Sequence, residues 1–136
     1  MQQIMSIEQS IQFFTALNVF AIGLSHLLRP KIWVEFFEYL HLKGNVGNIF
    51  NALLALGMGT IILSFHFVWS WPMVLVTLYG LSQFIKGVIY LSFPSVGLKS
   101  IGKVNQKAKK FKWADLLMCM SGDLLVSRLI NDGAFV

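Results

Sequence analysis

Four charged side chains stand inside otherwise apolar stretches of this chain: Lys86, Asp115, Asp123 and Arg128, the last near the end of its stretch and able to reach the interface. An ionisable group at membrane depth is costly, so it pairs, reaches for the interface or lines a path for a substrate, an ion or a proton. Lys86 lies a few turns before the end of its apolar stretch, roughly 10 Å deep by helix rise. Asp115 and Asp123 bracket that depth on the next apolar stretch. A Lys86–Asp123 or Lys86–Asp115 pair would neutralise both charges. The long Lys86 stem also permits escape to the interface from that depth. Asp123 is too short to do so from mid-helix, and calls for a specific buried pair or a functional site.

Polar and small residues fall at helical spacing in the same stretches. The first carries Gln12, Thr15, Asn18, Ser25 and His26; the second Asn48, Asn51, Ala55, Gly59 and His66. The third carries Thr77, Gly80, Gln83, Lys86, Gly87 and Tyr90; the fourth Asp115, Cys119, Asp123 and Ser127. Each set lies near one helical face. Polar atoms turned to lipid would go unsatisfied, so the stripes are expected to face one another and form a polar seam. The small residues allow close helix approach, within the chain or between two copies.

The histidines suggest bis-His haem ligation, a common use of helical bundles. Their positions oppose it. His26 and His66 belong to opposite ends of a bundle, and His41 lies in a connection, so no cofactor and no metal site are expected. Single Cys119 excludes an internal disulfide and a cysteine-based metal site. There is no glycine-rich phosphate loop, nucleophile elbow, HExxH or paired-carboxylate unit, so no catalytic residue can be named.

The elements that must position these residues follow from composition. The 136 residues are 56% hydrophobic and only 12% charged, with a mean hydropathy of +0.68. Soluble domains carry about 25% charged residues. A single integral membrane domain, 1–136, is the reading. Gly44 to Ile85 is a run of 42 residues without Lys, Arg, Asp or Glu. At ~1.5 Å per residue it covers roughly 63 Å, two crossings of a ~30 Å hydrocarbon core. Trp69-Ser70-Trp71-Pro72 supplies the reversal, with tryptophans suited to the headgroup level.

Four crossings are expected: about Gln9 to Leu28, Asn48 to Val68, Pro72 to Phe93, and Trp113 to Ile130. Gly44-Asn45-Val46-Gly47 is expected to be a turn before the second. With no basic residues before it and no small-residue cleavage site, the first segment reads as a retained helix. After it, Pro30 to Leu40 places Ile32, Trp33, Phe36, Phe37 and Leu40 on one face and Lys31, Glu35 and Glu38 on the other, an interfacial amphipathic helix. From Ser95 to Lys112 the chain carries Lys99, Lys103, Lys107, Lys109, Lys110 and Lys112 and no acid. That stretch reads as a basic amphipathic helix on anionic lipid. It lacks the fold and stacking context of a nucleic-acid-binding module.

The fold class is therefore all-α integral membrane: a four-transmembrane-helix bundle with an amphipathic helix after helix 1 and a basic one before helix 4. Nine of the eleven basic residues lie in the two connections that follow helices 1 and 3. The positive-inside rule puts both in the cytoplasm and both termini outside. No sequence repeat is evident. In size and layout the chain is similar to several groups of small membrane proteins, DoxX-like proteins among them, a similarity from which no functional residue is carried over.

The functional expectation is a polar interior, lined by Lys86, Asp123, Asn18, Asn51, His26 and Asp115, that binds or passes a small molecule, ion or lipid. One rival is an accessory or scaffold protein that docks another membrane protein, or a second copy, through Trp33, Phe36, Phe37 or the small-residue faces. The other is a small enzyme acting on a lipid or quinone, with Asp115 or His26 as first acid/base candidates.

Overall fold

The computed structural model describes residues 5–103 and, beyond them, the single positions Met120, Leu124, Ser127, Arg128, Ile130 and Asn131. The described residues form helices and no strand: α1 (Ile7–Leu28), α2 (Pro30–Leu42), α3 (Asn45–Phe65), α4 (Val74–Ser92) and α5 (Pro94–Gly102). Three of them, α1, α3 and α4, are long and apolar enough to cross a membrane. Asp115, Asp123, most of the fourth expected crossing and the lysines from Lys107 to Lys112 lie outside the described residues.

Helix α1 starts two residues earlier than expected, because Ser6 and Gln9 form a capping box. The Gln9 N–H donates to Ser6 Oγ at 3.2 Å, and the Ser6 N–H donates to Gln9 Oε1 at 3.0 Å. Two otherwise orphaned donors are satisfied reciprocally. The helix ends at the Arg29–Pro30 corner, where Pro30 opens α2. Proline disfavours helical backbone in the residue before it, and its missing N–H is harmless in a first turn.

The same device recurs. Helix α4 ends at Phe93, and Pro94 opens α5. Arg29 has φ −138° and ψ 62°, and Phe93 has φ −129° and ψ 78°. A long apolar helix, an X-Pro corner and a shorter helix thus occur twice, at the same end of the molecule. Buried Gly23 and Gly87 each lie about two turns before their proline.

The expected turn at residues 44–47 is mostly helix. Gly44 alone makes the reversal, with φ +58° and ψ −130°, a region that glycine occupies at little steric cost. Asn45, Val46 and Gly47 already belong to α3. Gly47 is there for packing: a Cβ on it would collide with the backbone carbonyl of Leu40 in α2.

Helices α3 and α4 form the tightest pair. A Cβ at Gly59 would overlap the Phe84 backbone, one at Gly80 would meet the Ile62 side chain, and one at Gly87 would meet the Leu56 backbone. The small residues bring the two axes together within this chain. Ala16 of α1, Ile62 of α3 and Val76 of α4 make the apolar core, with Ile11, Met58, Met73 and Tyr79 packed against it. Helix α2 buries Leu40 and half-buries Trp33, Phe36 and Phe37, while Lys31, Glu35 and Glu38 are exposed. The rings of Trp33, Phe36 and Phe37 meet edge-to-face or tilted, with centroids 5.4 to 6.3 Å apart.

Candidate functional site

The buried polar side chains Gln12, Thr15, Asn48, Asn51, His66 and Thr77 define a seam through the three long helices. Its two ends are built differently.

At the end carrying the Trp69–Pro72 reversal, the polar groups close on themselves. The Gln12 amide nitrogen is 3.0 Å from His66 Nε2, and His66 Nδ1 is 3.2 Å from Thr77 Oγ1. The Thr77 hydroxyl donates to the Val68 carbonyl at 2.8 Å and accepts from the Val68 N–H at 3.1 Å. One set of protons satisfies every contact. Gln12 donates to Nε2, the neutral imidazole carries its proton on Nδ1, and Thr77 uses one donor and two lone pairs. The local fold makes this inevitable. His66 ends α3 in extended backbone, turning its ring inward, and Thr77 sits on the inner face of α4. The network pins α1, α3 and α4 together.

At the opposite end, near the two proline corners, hydrogen-bonding capacity is left over. Asn48 donates to the Tyr90 carbonyl at 2.9 Å, but its Oδ1 has no partner among the described residues. Gly97 of α5 lies directly against that oxygen, and a Cβ there would collide with it. Asn51, one turn along α3, is buried and makes no side-chain hydrogen bond among the described residues. In α1, one turn from Gln12 and so toward the Trp69–Pro72 end, Thr15 is 1% exposed and its hydroxyl also has no partner among them. Most buried polar groups in native structures are paired, so such groups call for a physical reason.

The remaining sequence-derived candidates fall around this seam. Lys86 is half-buried on α4, and its ammonium lies 5.7 Å from the centroid of the Tyr90 ring, one turn nearer the corner end. That is cation–π range, and the direction in which a lysine leans toward an interface. The Tyr90 hydroxyl donates to Ser100 Oγ at 2.7 Å, fastening α4 to α5. Asn18 is half-buried, and its amide donates back to the Phe14 carbonyl at 2.8 Å. His26 is half-buried edge-on to Trp33, with ring centroids 4.2 Å apart. His41 packs beside Gly102. Asp115 and Asp123 lie outside the described residues.

Sequence reasoning placed Gln12, His66 and Thr77 on inward stripes without joining them, because their contact depends on how α3 ends. The available signal was a histidine just before an aromatic reversal. The side-chain contacts at the corner of α1 and α2 also went unread. There Trp33 donates its indole N–H to Ser25 Oγ at 3.0 Å, and Ser25 donates to the Ile22 carbonyl at 2.8 Å.

No protein-family model, curated protein or solved structure matches the chain. The class these observations define is an all-helical protein with three apolar helices able to cross a membrane.

Proposed function

We propose that this is a small multi-pass membrane protein whose polar interior binds or passes a small molecule, ion or lipid. The proposal includes a fourth crossing near 113–130 that completes a four-helix bundle and brings Asp115 and Asp123 to the seam. The observation that carries it is unsatisfied polarity in the interior: among the described residues, Thr15 Oγ1 and Asn48 Oδ1 are buried without a partner, and the buried Asn51 makes no side-chain hydrogen bond. A purely structural seam would be expected to end like the Gln12–His66–Thr77 network, with both imidazole nitrogens and the threonine hydroxyl engaged. Asn18, Asn51 and His26 line the proposed path, and Lys86 and Asp123 supply its charges.

Cysteine accessibility tests the reading. In a Cys119→Ala background, Thr15→Cys and Asn51→Cys are each introduced, with Leu53→Cys on the exposed face of α3 as reference. The protein is reconstituted in vesicles and treated with a charged methanethiosulfonate. Thiol reaction requires water to support the thiolate, so a lipid-facing cysteine is slow. Asn51→Cys reacting well ahead of Leu53→Cys supports a water-reachable interior. Equal inertness of Asn51→Cys and Thr15→Cys defeats the proposal.

A further inference from the structure

The corner between α1 and α2 carries an open groove of about 450 Å³, lined by Ser25, Leu28, Arg29, Ile32 and Trp33. Leu28, Ile32 and the Trp33 ring make its walls apolar. Among the described residues that line it there is one cation, Arg29, and no acid. The Arg29 side chain is exposed and has no ion-pair partner among the described residues.

The groove is held in shape. Trp33 is fixed at its polar edge by the chain of hydrogen bonds through Ser25 to the Ile22 carbonyl, and by His26 against its ring. Its N–H is therefore engaged, and the aromatic surface is what it offers. The Arg29–Pro30 corner prevents α1 from continuing and turns α2 across its end.

Position adds the chemistry. The corner lies at the end of a helix long enough to cross a membrane, so it stands at headgroup depth, with apolar walls on the lipid side. We propose that the groove holds one anionic phospholipid, its phosphate on the Arg29 guanidinium and the start of an acyl chain between Leu28, Ile32 and Trp33. The guanidinium fork matches phosphate oxygens bidentately, and a positive charge without an ion-pair partner among the described residues selects an anionic headgroup over a zwitterionic one. This site is separate from the interior seam and from the lysines of the second corner. It needs only that α1 crosses the bilayer.

Trp33 is its own reporter. The full chain carrying Phe at Trp69, Trp71 and Trp113 is reconstituted in phosphatidylcholine vesicles. These contain a minor fraction of either brominated phosphatidylglycerol or brominated phosphatidylcholine. Bromine quenches indole fluorescence on contact. The expected result is an excess of brominated phosphatidylglycerol at Trp33 of about fivefold over its share of the bilayer, the factor one interfacial basic residue supplies. Brominated phosphatidylcholine shows no excess. Arg29→Gln removes the excess while the helical circular dichroism is unchanged, because that side chain is exposed and the backbone cap at residue 29 remains. Equal quenching by the two lipids overturns the proposal, since Trp33 would then see only bulk lipid. An excess that survives Arg29→Gln also overturns it, because the attraction would come from other basic residues such as Lys31, Lys99 or Lys103.

Discussion

The Gln12 amide nitrogen lies 3.0 Å from His66 Nε2, joining the early part of α1 to the residue that ends α3. This contact spans 54 positions of sequence and continues through Thr77 into α4. It is the polar counterpart of the Ala16–Ile62–Val76 core that lies beside it. His66→Ala leaves the Gln12 amide and a Thr77 lone pair buried without a partner. The expected cost is about 1–3 kcal/mol of stability. A Gln12→Ala/His66→Ala double-mutant cycle, read by chemical unfolding in detergent, should give a coupling of roughly 1 kcal/mol, within the range for polar pairs in membrane proteins. A coupling indistinguishable from zero would mean that the two residues do not meet in solution.

Glycines along α3 and α4 should separate sharply by position. Gly59→Ala and Gly87→Ala each push a methyl into backbone of the facing helix, which cannot rotate away. Each should destabilise by about 1–3 kcal/mol. Gly57→Ala faces open space on the same helix as Gly59 and should be neutral or slightly stabilising. Thermal unfolding of the three variants in one detergent checks the ranking.

Gly97 holds α5 against α3 through its contact with Asn48. Gly97→Ala drives a methyl into Asn48 Oδ1 and strains the Asn48–Tyr90 hydrogen bond. The predicted effect is local. Hydrogen exchange should rise across 94–102 and stay unchanged in the Gln12–His66–Thr77 region, because that network lies at the other end of the bundle.

Lys86 rests over Tyr90, and its worth as a stabilising contact should be small. Lys86→Met keeps the apolar stem and loses the cation–π contact, so the expected change is within ~1 kcal/mol. Tyr90→Leu should cost more, since it also removes the hydroxyl bond to Ser100. If Lys86→Met destabilises by several kcal/mol, the ammonium has a buried charged partner, the role proposed for Asp115 or Asp123.

Topology offers a further check. A reporter fused after residue 136 should read on the opposite side from one inserted at the α2–α3 reversal near Gly44, as four crossings require. Both reporters on the same side would remove the fourth crossing from the proposal and, with it, the placement of Asp115 and Asp123 in the seam.

Much of this architecture was legible in the chain because a bilayer imposes a simple rule: a crossing helix needs about 20 apolar residues, and charge marks its ends. The three long helices, the reversal at Trp69–Pro72, and the corners at Pro30 and Pro94 follow from that rule and from proline's fixed backbone. So does the inward placement of Gln12, Thr15, Asn48, Asn51 and Thr77, since helical spacing sorts faces before any neighbour is known. Tertiary structure alone decided which of these residues meet. Gly44 took the whole reversal and freed Asn45 to Gly47 for α3, because Gly47 had to fit against Leu40. His66 turned inward because α3 ends at Phe65, a boundary that hydropathy blurs by several residues. The groove at Arg29 arises from the angle between two helices, which no linear pattern encodes. Spacing along a chain determines the face a residue occupies. Contact between faces depends on where helices end and how closely their backbones approach, and at both points a single glycine or cap outweighs the average character of the segment.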